Sequence, residues 1–171
     1  MAFNPIPTAR HMPSVDPDLP PLPTPADADF EARIRASFDK QGAMATIGAR
    51  LADVQAGRVV IELPHSDKVT QQHGFVHAGM VAAAIDSACG YAAATLMPAD
   101  AGVLTIEFKI NLLAPARGPL LRCVGQVIKA GRTVSVAEGR VWQDGADGRP
   151  QLVATLHATL MTITGRTDVR H

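Results

Sequence analysis

From residue 104 onward, apolar Leu104, Ile106, Phe108, Ile110 and Leu112 alternate with polar Thr105, Glu107, Lys109 and Asn111. A period of two is the mark of a half-buried strand, and it sets Thr105 opposite Leu104 and Ile106, on the face of Glu107 and Lys109. Leu120 to Lys129 and Thr133 to Gln143 flank Ala130-Gly131-Arg132 and read as a hairpin. Gln151 to Thr164 follows the turn-rich stretch 144–148 as a last long strand. Upstream, Ala45 to Val54 and Arg58 to Leu63 predict another hairpin about Ala56-Gly57, ended by Pro64. Helical spacing enters at two places. Phe30, Ile34 and Phe38 recur every four residues behind Asp27 or Asp29 as cap, which predicts a helix through about Gln41 with Gly42 closing it. Met80 to Leu96 is rich in Ala and free of Pro until Pro98, so a long helix starting at His77 or Ala78 is expected. One buried helix with five or six antiparallel strands is an α+β arrangement in which a curved sheet wraps the helix.

Composition narrows the setting. The 171 residues suffice for one domain with a sizeable core, and eight of the thirteen prolines fall within residues 1–25. Those residues read as an extended arm, and 26–171 as a single domain carrying an N-terminal helix. Sixteen basic residues balance sixteen acidic ones, and no two Lys or Arg residues are adjacent, so neither nucleic acid nor an anionic membrane is expected as a partner. The two cysteines, Cys89 and Cys123, form no CxxC pair, and Met1 to Pro7 lack the basic start and apolar run of a signal peptide. A cytoplasmic location is the expectation. The helix at 80–96 is too short and too interrupted by Asp86 and Ser87 to cross an apolar layer of about 30 Å.

Asp86 is the one acid in that small-residue helix. A carboxylate there is either a structural group satisfied by partners or a reactive one. Gly79, Ala82 and Ala83 precede it by seven, four and three positions and share its face, where small side chains allow close approach. Ahead of the helix, Gln71-Gln72-His73-Gly74-Phe75-Val76 is a loop, and the first helical N–H groups beyond it lack intrahelical partners and favour negative charge. His73 and His77 stand four apart, but Gly74 disfavours a helix there and no acid of an HExxH motif lies between them, so no metal is expected. His77 fits a loop-ordering role better than acid–base chemistry. Cys89 has no base on its helix face to make it a nucleophile.

Gln71, Gly74, His77, Gly79 and Asp86 fall where hotdog-fold thioesterases of the phenylacetic-acid-degradation (PaaI-like) type carry Asn or Gln, Gly, His-Gly-Gly and a helical Asp. The chain resembles that family over about residues 40–163. Leu104-Thr105-Ile106-Glu107-Phe108, Leu113-Ala114-Pro115-Ala116 and Lys129-Ala130-Gly131-Arg132-Thr133 extend the resemblance, while Ala78 replaces the first Gly of the usual pair. It implies a hotdog fold and hydrolysis of acyl-CoA thioesters to free acid and CoA, without a cofactor. Asp86 is then general base or nucleophile, and the Ala78 N–H polarises the thioester carbonyl. Gln71 orients thioester or water, Thr105 positions water or shares a proton, and His77 and Gly79 lie against substrate. Gly131 and Arg132 would meet the nucleotide phosphates.

Ala78 and Asp86 lie eight residues apart, roughly 12 Å along one helix at about 1.5 Å per residue, so one chain cannot easily assemble this site. Two antiparallel helices across a two-fold axis would, and a homodimer or a dimer of dimers is therefore expected, as in the family it resembles. Two other readings stay open at this stage. One is a hotdog hydratase or dehydratase on acyl thioesters, which generally needs a His and acid pair. The other is a non-catalytic acyl-CoA binding protein.

Overall fold

The structure, a computed structural model, describes residues 21–166 and 168. Most of the Pro-rich arm, residues 1–20, lies outside the described residues. The first helix, α1 (Phe30–Phe38), buries Ile34 and Phe38 as the four-residue spacing predicts. A short helix α2 (Gly42–Ile47) follows, then β1 (Arg50–Gln55) and β2 (Arg58–Pro64), which pair as a hairpin with Gln55 opposite Arg58. Helix α3 (Ala78–Ala94) is the long Ala-rich helix, and β3 (Gly102–Leu112), β4 (Leu120–Lys129), β5 (Val134–Asp144) and β6 (Pro150–Ile163) complete the chain.

One expectation about this order fails. Ala45 to Ile47 belong to α2 and not to the first strand, and Gly42 opens that helix where it was expected to close α1. Ala43, Met44 and Ala45 are good helix formers, buried Met44 anchors the turn to the core, and Gly48 ends it in the left-handed region at φ 71°. The strand starts only at Arg50.

All six strands form one antiparallel sheet in the order β1-β2-β4-β5-β6-β3. Strict alternation of buried and half-exposed positions along β4 and β5 gives the sheet an inner face, and α3 packs across it. Val81, Ala84, Ile85 and Ala88 of α3 are fully buried there with Ile61, Leu121, Cys123, Val141 and Leu156. The approach is close because the sheet is glycine at the crossing. A Cβ at Gly125 would stand 2.4 Å from the Ala88 backbone, and one at Gly139 would stand 2.5 Å from the Ile85 side chain.

The ends of α3 are tied by side chains. His77 is its N-cap, accepting the Gly79 N–H on Nδ1 at 2.9 Å. At the other end Arg33 of α1 donates to the carbonyls of Ala94 and Met97, each at 3.2 Å, while its Nε holds Asp27 at 2.7 Å. A cation on a helix C-terminus complements the helix dipole and satisfies orphan carbonyls. Leu22 lies against Gly57 and packs on the core, so the last residues of the Pro-rich stretch touch the domain.

Candidate active site

Asp86 projects from the middle of α3 beside the first half of β3, half-buried, and Thr105 donates its hydroxyl to Asp86 Oδ1 at 2.9 Å. Burial raises the Asp86 pKa above its ordinary value, and the Thr105 hydrogen bond pulls it partly back. Strict alternation would have put Thr105 on the outer face with Glu107. A β-bulge between Thr105 and Glu107 breaks the register. Thr105 pairs with inward Leu160 and Glu107 with outward Thr159, so the extra residue, Ile106, turns Thr105 toward the helix. The expected face of Thr105 is thereby corrected, and its hydroxyl meets the Asp86 carboxylate.

The helix N-terminus presents the second group of expected residues. Because His77 occupies the Gly79 N–H, and the N–H groups of Met80 and Val81 turn back to the His77 carbonyl, the Ala78 N–H is left without a hydrogen bond among the described residues. Gly79 suits the cap, since a Cβ there would sit 3.1 Å from His77 Nδ1. Gln71 lies opposite in a tight loop closed by the Gln71 N–H to the Phe75 carbonyl, 2.8 Å, and the Gly74 N–H to the Gln71 carbonyl, 2.9 Å. Its Oε1 accepts the His73 N–H, and its amide NH2 donates to nothing among the described residues.

These groups line two separate cavities. Asp86 and Thr105 belong to one of about 300 Å³, walled by Ser37, Lys40, Gln41, Ser87 and Tyr91. Gln71, His77 and Ala78 belong to one of about 550 Å³, with Phe75, Val81, Leu112, Leu113 and Val153 in its apolar walls. The sheet register shows how far apart they are. Thr105 lies at one end of β3 and Leu112 at the other, seven residues on, which is roughly 20 Å at about 3.3 Å per residue. Within one chain the carboxylate and the free helix N–H do not meet.

Gly131 and Arg132 line neither cavity. They form the β4–β5 turn, where the Gly131 N–H reaches Ser135 Oγ at 3.4 Å, and Ser135 pairs with Leu160 in the cross-strand row of Thr105. Several residues of the site escape linear reading. Ser37, Lys40 and Gln41 precede Asp86 by more than forty positions and carry no motif. Buried Gln143 accepts the N–H groups of Arg117 and Gly118 at 2.8 and 2.9 Å and donates to the Pro115 carbonyl at 3.1 Å. It thereby shapes the loop bordering the second cavity. Arg117 then lays its guanidinium 4.5 Å from the centre of the Phe75 ring at that border. Among the described residues no cluster of His, Cys, Asp or Glu has the makings of a metal site, and no helix is long and apolar enough to cross a membrane.

A curved six-stranded antiparallel sheet around one long helix is the hotdog fold. The chain belongs to the thioesterase superfamily, whose pattern matches residues 73–148. It is 35% identical to a Halobacterium salinarum protein bearing an esterase name, over 75% of this chain and 89% of that one. A 1,4-dihydroxy-2-naphthoyl-CoA hydrolase of Listeria monocytogenes is 28% identical over 58% of this chain and 81% of its own. Among solved structures, a thioesterase family protein from Silicibacter pomeroyi superposes with a TM-score of 0.77 at 46% identity, covering 80% of this chain and 99% of its own. A phenylacetic-acid-degradation-related protein of Ralstonia eutropha is also among the structural neighbours, so the expected family and fold both hold.

Proposed function

We propose that the protein is an acyl-CoA thioesterase that works as a homodimer, each site combining the Asp86 cavity of one subunit with the Ala78 cavity of the other. The observation that carries this reading is the division of complementary groups between two cavities at opposite ends of one edge strand. Strand β3 pairs only with β6 among the described residues. Its Leu104, Ile106, Phe108 and Leu112 remain 44–54% exposed, a long apolar edge that invites pairing with another strand. An antiparallel partner β3 about a two-fold axis near Phe108, midway between Thr105 and Leu112, brings each Thr105 end to the partner's Leu112 end. On α3, Gly79 is exposed and Ala82 and Ala83 are half-buried, small residues that let a partner helix approach closely.

In the assembled site Asp86, ionised, takes a proton from water as the water oxygen attacks the thioester carbonyl carbon. Negative charge moves to the carbonyl oxygen, where the Ala78 N–H and the helix N-terminus receive it, typically worth a few kcal/mol. The tetrahedral intermediate collapses with cleavage of the C–S bond, and the thiolate leaves with the proton that Asp86 held. Gln71 offers its amide N–H groups to the thioester. Thr105 acts through Asp86 as a positioning residue. His77, whose Nδ1 is engaged in the cap, holds the loop; this use of the one helix-entry histidine disfavours hydration chemistry built on a His and acid pair. In this reading the carrier's phosphates meet Arg132 and Arg117.

Release of free thiol from a panel of acyl-CoA esters tests the reading. Wild type should hydrolyse at least some of them, and Asp86→Asn, with its dimer intact by light scattering, should lose more than about a hundredfold in kcat/KM. Equal rates would remove Asp86 from the chemistry, and saturable binding without turnover would leave a binding protein.

A further inference from the structure

The loop that feeds α3 is held partly from outside itself. The Gln71 N–H reaches the Phe75 carbonyl and the His77 N–H reaches the Val69 carbonyl, each at 2.8 Å, which makes an antiparallel bridge of Thr70 and Val76. Between them the Val76 N–H points away, to the Ala116 carbonyl at 3.0 Å. Two residues after Val76 the helix opens at Ala78. The aim of the Ala78 N–H therefore depends on where the 115–118 segment stands.

That segment is held by one buried amide. Gln143 lies on the inward row of β5, beyond Gly139 and Val141, and is 4% exposed. A polar group in such a row is costly unless its donors and acceptors are met. Here all are met: Gln143 Oε1 accepts the Arg117 and Gly118 N–H groups at 2.8 and 2.9 Å, and Nε2 donates to the Pro115 carbonyl at 3.1 Å and to Gln151 Oε1 at 2.8 Å. Two bonds accepted and two donated fill the capacity of a side-chain amide. Three of the four go to the 115–118 segment. Gly118 lets the segment come this close, since a Cβ there would stand 3.1 Å from Gln143 Cβ. An apolar side chain would fill the core row; what the amide adds is the hold on the segment, and a fully satisfied buried network is rigid.

We propose that Gln143 is a positioning residue of the active site, fixing the N-terminus of α3 through the 115–118 segment and the Ala116–Val76 hydrogen bond, and with it the aim of the Ala78 N–H at the thioester oxygen. This rests on the thioesterase reading of that N–H. Gln143 touches no substrate and moves no proton. It acts on the charge that develops in the transition state, which depends steeply on donor geometry, so it governs kcat and leaves KM nearly alone.

Three substitutions at this position and one elsewhere test it. Gln143→Met keeps the length and abolishes the amide, and Gln143→Asn, which withdraws the amide by one methylene, takes its place if Gln143→Met does not fold. Gln143→Glu keeps the acceptor for Arg117 and Gly118, and Gln151 can turn its own NH2 toward it. Thr95→Val removes a buried hydroxyl that accepts the Gly57 N–H and donates to the Ala92 carbonyl at the far end of α3, and controls for lost stability alone. Melting, kcat and KM for acyl-CoA esters, and amide exchange at Val76 and His77, are measured for each. Gln143→Met should lower kcat at least about tenfold with KM within about twofold, and quicken exchange at Val76 and His77 at least about tenfold. Gln143→Glu should return both to within about threefold of wild type, and Thr95→Val should move neither. A kcat within about twofold of wild type in Gln143→Met, exchange unchanged from wild type, or changes matched by Thr95→Val overturn the proposal and leave thioester hydrolysis standing. If wild type hydrolyses no ester, the hydrolytic reading falls and exchange decides this one: quickening in Gln143→Met alone supports the hold of Gln143 on the helix N-terminus, and unchanged exchange overturns it.

Discussion

At the scale of single residues the protein holds an acid where acids are disfavoured, and the consequences are opposite for activity and stability. Burial raises the Asp86 pKa, so the native state binds its proton more tightly than the unfolded chain does. Stability is then lost as pH rises from the unfolded pKa through the folded one. Asp86→Asn should accordingly melt higher than wild type at pH 7 while losing its rate, and the difference in melting temperature should shrink as pH falls and vanish below the ordinary carboxylate value of 3.8. Thr105 works against burial by donating to the carboxylate. Thr105→Val keeps a β-branched strand residue and removes that donor, so the acidic limb of the kcat/KM profile should move to higher pH. An unmoved limb with a merely lower plateau would reduce Thr105 to packing.

At the scale of elements, α3 is positioned by contacts that spacing along the chain does not announce. Its closeness to β4 depends on Gly125, where a methyl would overlap the Ala88 carbonyl carbon and oxygen at 2.4 Å. Backbone on both sides gives neither partner a flexible end to yield. Gly125→Ala should therefore cost about 3 kcal/mol or more by chemical denaturation, at the severe end for a single methyl. Arg33 fastens the other end of the helix to α1 through the Ala94 and Met97 carbonyls, with its side chain 11% exposed. Arg33→Met should cost about 2 kcal/mol, from two lost charge-assisted bonds and an unpaired Asp27. Hydrogen exchange should quicken first at the last turn of α3.

At the scale of the whole molecule, the proposed two-subunit site depends on the edge strand β3. Phe108 sits 44% exposed near the middle of β3, at the position expected of the two-fold axis. Two copies of an aspartate there would face each other across the axis. Phe108→Asp should give a monomer by light scattering with little change in the melting of the domain, and hydrolysis should fall with dimer content. Full activity in a monomeric Phe108→Asp protein would mean that one chain closes the site alone, against the separation of Ala78 and Asp86.

What the amino-acid pattern determined by itself was the local part: the α3 span from its Ala content and its Pro-free run, the hairpins at Gly57 and Gly131, and the order of loop, helix and strand from Gln71 to Thr105. These rest on propensities and periods that act within a few residues. The Met44 helix was not legible, because six residues of marginal helix form only when Met44 is held by the core and Gly48 turns the chain. The face of Thr105 was misread for a related reason: a bulge shifts register by one residue, and one residue inverts every side chain of a period-two pattern. Only tertiary structure gathered Ser37, Lys40, Gln41, Ser87 and Tyr91 around Asp86, and only it placed Ala78 in a different cavity, because such distances follow from how α3 crosses the sheet and leave no trace in spacing along the chain.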